Sequence, residues 1–382
     1  MREVVIVAAV RTAVGRSKGA LKDVRADDLA ADVLQEVVKR AGIDKGQVED
    51  VIFGCVTQSG EQGANIARTA LLMAGFPEKV PGVTIDRQCG SSQQAVHFGA
   101  QAILAGDMDT VIAGGVESMT RVPMFSNMQS AHKGKRLQEN YTIIHQGLSA
   151  EKMAAKWQFS KDHLNHFAYE SHRRALAAIE AGLFQQEIMP VHLTQEDGTV
   201  TIFNVDEGPR ADTTMERLNN LKTVFQEQGV ITAGNASQMS DGASAVVLMS
   251  LEKAQELGIQ PLAKIVTRVV VGSDPTLMLT GPIEATRQAL KRAGLTIEEI
   301  DTYEVNEAFA PVPLSWLHDI GADPAKLNPD GGAIALGHPL GATGTKLLTT
   351  MVYRMQRENL RYGLIAICEG MGMANATIIE KM

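Results

Sequence analysis

Lys39-Arg40-Ala41-Gly42-Ile43 returns 252 positions later as Lys291-Arg292-Ala293-Gly294-Leu295. Carried forward without gaps, the same offset sets Cys89-Gly90-Ser91-Ser92 opposite Gly341-Ala342-Thr343-Gly344. It also sets Val116-Glu117-Ser118-Met119 opposite Cys368-Glu369-Gly370-Met371. Three matches at one spacing point to two halves of one architecture, with chance similarity between amphipathic units as the alternative. Around the first copy, Val4 to Ala9 reads as a strand. Ala26 to Ala41 reads as a helix, with Leu29, Val33, Val37 and Ala41 along one face and Gly42 in the C-cap position. Val51 to Gly54 is a second strand, Ser91 to Ala105 a helix stopped by Gly106, and Thr110 to Ala113 the strand after it. Short β-branched runs alternating with longer amphipathic ones predict an α/β fold on mainly parallel strands.

Between the halves, from about Thr120 to Ser240, the texture changes to longer polar stretches, several histidines and the basic cluster His132-Lys133-Gly134-Lys135-Arg136. This reads as an inserted subdomain. Its best-defined element is a helix with Ser160 as N-cap, running to Ala181 and stopping at Gly182. Residues 1–119 and 241–260 then form the first half, 120–240 the insertion and 261–382 the second half.

The whole chain, 382 residues, is more than one hydrophobic core usually serves. Hydrophobic residues at 45% and charged residues at 21% exclude a disordered or fibrous chain. A net charge of -8 argues against nucleic acid or an anionic membrane as the main partner. Three cysteines are too few and too far apart for a disulfide scaffold or a four-thiolate zinc site, so a reducing cytoplasm is expected. No run is long and apolar enough for a membrane span, and the start lacks the features of a signal peptide.

Four positions carry candidate chemistry. Cys89 stands before Gly90-Ser91-Ser92, at a helix N-terminus whose free N–H groups favour thiolate; its bland alternative is a buried packing residue. His338 sits in the glycine-rich loop Asn328 to Gly341, held before Pro339, where it can serve as a general base. Cys368 and Asn306 each end a strand-like run, the place where α/β proteins hold reactive groups. His163 and His166 share a helix face, but no third ligand stands near them in sequence, so no metal site is expected.

Arg87-Gln88-Cys89-Gly90-Ser91, Gly114-Gly115-Val116-Glu117-Ser118-Met119, Gly234-Asn235-Ala236-Ser237, Asn306-Glu307-Ala308-Phe309, Gly331 to Pro339 and Cys368-Glu369-Gly370 together resemble the thiolase family over nearly the whole chain. The resemblance implies a duplicated five-layer α/β/α/β/α fold with a loop domain inserted in the first half. It implies CoA-dependent cleavage of a 3-ketoacyl-CoA, or the reverse condensation of acetyl-CoA, with CoA as co-substrate and no permanently bound cofactor. By it Cys89 is the nucleophile, His338 the base and Cys368 the acid/base. One oxyanion hole falls to His338 with a water held by Asn306, and the other to the backbone N–H groups of Cys89 and Gly370. Arg210, Ser237, His145 and Phe309 are the expected CoA contacts, and a homodimer or homotetramer is implied. Departures from the family pattern lie at Met371, where a glycine is usual, at Ser92, and at Pro329-Asp330. They leave a thiolase-like acyl-CoA-binding protein with little turnover as the alternative. A decarboxylating condensing enzyme would want His or Asn in place of Cys368. Pairing of Cys89 with Cys368 as a redox switch is a side reading.

Overall fold

Both copies of the repeat end a helix in the same left-handed turn: Gly42 has φ 66°, ψ 29° and Gly294 φ 68°, ψ 29°. In this computed structural model, which describes residues 2–128, 131, 134–195 and 197–382, the duplication is architectural. The first half runs β1 (Val4–Thr12), α1 (Ala26–Ala41), β2 (Asp50–Gly54), α2 (Ile66–Met73), β3 (Gly82–Ile85), α3 (Ser91–Ala105) and β4 (Thr110–Ser118). After a segment holding α4 (Gln146–Lys156) and α5 (Lys161–Glu180), it closes with β5 (Ser240–Ser250). The second half runs β6 (Ala263–Gly272), α6 (Gly281–Ala293), β7 (Thr302–Val305), α7 (Pro311–Ile320), α8 (Thr343–Glu358), β8 (Tyr362–Glu369) and β9 (Met373–Lys381). Shifting α3 and β4 by 252 lands on α8 and β8.

The strand order is β7-β8-β9-β6-β1-β5-β4-β2-β3, so β2-β4-β5-β1 in one half mirrors β7-β8-β9-β6 in the other. The halves meet where β1 pairs antiparallel with β6 through Val5 with Lys264 and Ile6 with Ala263. The expectation of mainly parallel strands is corrected. β2 pairs parallel with β3 and β4, and β7 with β8, but β1–β5, β4–β5, β6–β9 and β8–β9 are all antiparallel. The reason lies in β5 and β9, each entering its half-sheet between two strands that run the other way. Alternation of side chains along a strand does not reveal that direction.

Three apolar clusters separate the layers. α1 and α2 bury Leu29, Val33, Val37, Ala67 and Leu71 against one face of the first half-sheet. α6 and α7 bury Ile283, Ala289 and Trp316 against the far face of the second. Between the half-sheets, α3 and α8 contribute Val96, Ile103, Leu347 and Met351, which meet Ile6, Val111, Ile365 and Ile367. The five layers follow from this sandwiching. β4 runs on to Ser118, past the expected end at Ala113, because Gly114 and Gly115 continue it. A Cβ on Gly115 would overlap the carbonyl of Gly341. The α1 and α3 boundaries match expectation, and α5 is capped as expected by Ser160 Oγ, which accepts from His163 N at 3.2 Å. His132 and Lys133 of the basic cluster lie outside the described residues.

Candidate active site

The thiol is presented by a tightly specified turn. Gln88 takes φ 49°, strained for a residue with a side chain, and Asp86 Oδ1 holds it by accepting from Gln88 N at 2.7 Å. Ser91 Oγ accepts from Arg87 N at 2.9 Å and donates to Gln88 O at 2.6 Å. Cys89 therefore stands just ahead of α3, as its sequence neighbours predict. The expected thiolate is not what its surroundings favour. Desolvation first, and the nearby Glu369 carboxyl second, push the Cys89 thiol up to about 12. The Cys89 backbone N–H pulls the other way without offsetting these, a balance that favours the neutral thiol and calls for a base.

His338 has the protonation state of such a base. Its backbone N donates to Ser240 Oγ at 3.1 Å, and burial, helped by Lys346, brings the imidazole down to about 3. The ring is neutral, and its neighbours fix the tautomer. Thr343 Oγ donates to Pro339 O at 2.9 Å, so it accepts from His338 Nδ1 at 2.6 Å. Nε2 keeps its lone pair, toward which Asn306 Nδ2 is placed at 3.3 Å. Asn306 Oδ1 is buried with no hydrogen-bond partner among the described residues, leaving it able to accept from a water. The sequence gives no sign of Thr343's role; a hydroxyl five residues after the histidine, at the start of α8, is the signal that fits it.

Two adjoining cavities of about 260 Å³ each open at the Gln88-Cys89 turn. One is lined by Cys89, Leu340, Val56, Met124 and Asn127. The other is lined by Gly370, Met371, Met278, Ile143, Ile144 and His145. Gln88, Phe125, Met128 and Gln146 line both. Leu340 lies two residues beyond His338. Cys368, at the end of β8, is fully buried with Phe309, Ala308, Met278 and Ile334, and burial with Cys89 close by holds its thiol well above the usual range. The three cysteines are unpaired. Met371 takes φ 67° in the turn Gly370-Met371-Gly372 between β8 and β9, a conformation that explains why glycine is usual there.

Of the expected CoA contacts, three stand together and one apart. Phe309 meets Phe225 edge-on at 5.9 Å, Phe225 stacks on His145 at 5.1 Å, and His145 meets Phe125 at 6.3 Å. This aromatic wall leads to the paired cavities. His145 Nδ1 also accepts from Gly147 N at 3.1 Å, capping α4. Ser237 N donates to Ala308 O at 3.0 Å, which places it beside Phe309. Arg210 lines a separate surface cavity of about 390 Å³ with Arg217, His172, Gly234 and Gln238. Among the described residues no group of three His, Cys, Asp or Glu side chains stands close enough to hold a metal ion. No helix there is long and apolar enough to cross a membrane.

A duplicated five-layer α/β body with a cysteine at the head of a helix beside an apolar cavity, a second cysteine near it at a strand end and a histidine–asparagine pair in the loops of the second half fits a class of enzymes that make and break carbon–carbon bonds through acyl thioesters. The chain belongs to the thiolase family: residues 4–252 match the family described as "Thiolase, N-terminal domain" and residues 259–381 match "Thiolase, C-terminal domain". It is 49% identical to a steroid 3-ketoacyl-CoA thiolase of Mycobacterium tuberculosis, over 100% of this chain and 95% of that protein. It is 42% identical to a 3-ketoacyl-CoA thiolase of Bacillus subtilis, over 100% of both. Among solved structures, an acetyl-CoA acetyltransferase of Bacillus anthracis superposes with a TM-score of 0.93 at 40% identity, covering 100% of this chain and 99% of that one.

Proposed function

We propose that the protein is an acyl-CoA thiolase that cleaves 3-ketoacyl-CoA with CoA, and runs in reverse as a condensing enzyme, through a thioester on Cys89. The observation that carries this reading is geometric: Cys89, at the head of α3, shares a cavity with Leu340, two residues beyond His338, whose ring is fixed between Thr343 Oγ and Asn306 Nδ2. Cys89 sulfur attacks the 3-keto carbon and its proton passes to His338 Nε2. The C2–C3 bond breaks, leaving an acyl-thioester on Cys89 and an acetyl-CoA enolate, which takes the proton of Cys368. Free CoA then attacks the thioester, its thiol proton returns to Cys368, and Cys89 recovers its proton from His338. Each stage creates an oxyanion. Asn306 with the His338 ring serves one, and the backbone N–H groups of Cys89 and Gly370 serve the other.

CoA would lie along Phe309, His145 and Ser237 with its nucleotide toward Arg210. The 120–240 segment would be the loop domain, joined to halves at 1–119 with 241–260 and at 261–382. The apolar lining of the second cavity supports an acyl group longer than acetyl, with Met371 limiting its length. Oligomerisation as a homodimer or homotetramer is part of the reading. β3 lies at the end of the sheet order with Val83 exposed, ready to pair with a second copy. Three unpaired cysteines support a cytoplasmic location. Cys89→Ser tests the reading: loss of thiolysis with acyl-CoA binding retained supports it, whereas a wild type without turnover on any chain length supports a binding protein.

A further inference from the structure

β8 divides its side chains between two faces. Cys368 points one way, while Glu369 follows Ile365 and Ile367 toward α3. Glu369 is fully buried, and neither carboxyl oxygen has a hydrogen-bond partner among the described residues. Its carboxyl occupies the place a side chain at position 90 would take, since a Cβ on Gly90 would overlap Glu369 Oε1. Gly90 itself has φ -94°, open to any residue, so room for Glu369 is what glycine provides there. The turn is also held by Asn375, whose Nδ2 donates to Gly90 O at 3.2 Å.

The molecule carries its own comparison. Glu117 occupies the same position on β4, 252 residues earlier, and is equally buried. It accepts from Val56 N at 2.9 Å, Thr57 N at 3.0 Å, Gln62 Nε2 at 2.9 Å and Gly341 N at 2.9 Å. Gly341 is the residue that the offset sets opposite Cys89. In the first half this carboxylate ties down the loop before α8. In the second half its twin stands against the loop before α3 with none of those donors. The charged or titratable groups acting on it are Arg87 and Asp86 from that loop, with Cys89 and Cys368 beside it. A buried carboxylate without donors is costly, so the structural role of Glu117 cannot be repeated at Glu369.

We propose that Glu369 is a positioning residue for Cys89, governing through its charge how readily that thiol releases its proton to the base. The proposal rests on the reading of Cys89 as nucleophile. Glu369 lines neither cavity, so it acts through the thiol and not on substrate. Burial holds the Glu369 carboxyl well above the usual carboxylate range, so it gains its charge only as pH rises: as a neutral acid it leaves the thiol free to deprotonate, and as a carboxylate it opposes a second negative charge beside it.

The test is the pH dependence of Cys89 alkylation by iodoacetamide on the full-length protein, followed by intact mass and peptide mapping that separates Cys89 from Cys368. Glu369→Gln, which keeps the shape and removes the charge, should move the alkylation midpoint down by about one pH unit. Glu369→Asp should stay nearer the wild type. The pH profile of kcat/KM should shift with the midpoint while KM for acetoacetyl-CoA holds. A midpoint that does not move in a cooperatively melting Glu369→Gln overturns the proposal. If that variant does not fold, Glu369→Ala, which empties the space beside Gly90, carries the same two outcomes. Absence of an acyl adduct on the wild type would refute the nucleophile assignment instead, and the alkylation shift would still read Glu369's effect on the thiol.

Discussion

The Cys89 thiol and the His338 imidazole are both neutral at rest, and that pairing decides how the site must work. A thiol pushed up to about 12 does not ionise alone, and an imidazole brought down to about 3 keeps its lone pair open at neutral pH but is a weak base, so the proton moves only together with the bond from sulfur to the substrate carbonyl carbon. His338→Ala should therefore slow acylation by roughly 10²–10⁴-fold, read as the rate of adduct formation, with acyl-CoA binding preserved. Thr343→Val removes the acceptor that fixes the tautomer. It should lower kcat about tenfold, the worth of one good hydrogen bond, with KM little changed; an unaltered kcat would mean that the ring is oriented by other contacts. Cys89, His338, Asn306 and Cys368 were legible as candidates in the sequence because each sits at a strand end or in a glycine loop, where chemistry concentrates. Thr343 and Glu369 were not, since each acts through a contact made only once the chain has folded. The offset that sets Glu369 opposite Glu117 was nevertheless already visible.

At the scale of elements, the glycines state where the backbone is crowded and where it only turns. A Cβ at Gly115 would overlap the Gly341 carbonyl, backbone against backbone, so β4 and the loop before α8 cannot part to admit it. Gly115→Ala should cost about 3 kcal/mol in urea unfolding, the upper end for overpacking. Gly42 and Gly294 have open space around them but φ of 66° and 68°. Gly42→Ala and Gly294→Ala should each cost about 1 kcal/mol and match one another, as equivalent turns of a duplicated unit must. The helices at Ala26–Ala41, Ser91–Ala105 and Lys161–Glu180 were legible almost to the residue, because amphipathic spacing and a glycine stop are local signals, whereas Ile66–Met73, Gln146–Lys156 and Pro311–Ile320 were not read. Strand direction was not, because β5 and β9 are placed by long-range pairing that leaves the same alternation whichever way a strand runs.

At the scale of the whole molecule, buried polar links bind the layers and the inserted segment into one body. Arg11 on β1 donates from Nε to Glu187 at 2.6 Å and from both Nη atoms to Asp206 at 2.7 and 2.9 Å, all buried. Arg11→Met would strand two carboxylates, and a loss of about 3–5 kcal/mol is expected by calorimetry or urea unfolding. His97 on α3 lies 2.8 Å from Thr377 Oγ on β9, and burial, with Arg268 and Arg87 nearby, lowers it to about 3. The unfolded chain takes that proton near 6.5, so between those pH values it binds more protons than the folded one, and this contribution to stability is lost as pH falls. The melting temperature of the wild type should therefore drop more steeply below pH 6.5 than that of His97→Gln; parallel curves would contradict the assignment. The central claim, a covalent thioester on Cys89, is tested most directly by intact-mass analysis of the full-length protein mixed with acetoacetyl-CoA, with and without CoA, beside Cys89→Ser. The account predicts one acetyl adduct on the wild type, none on the variant, and its discharge when CoA is added. No adduct from acetoacetyl-CoA or from longer 3-ketoacyl-CoAs, or an adduct that persists on Cys89→Ser, would contradict it.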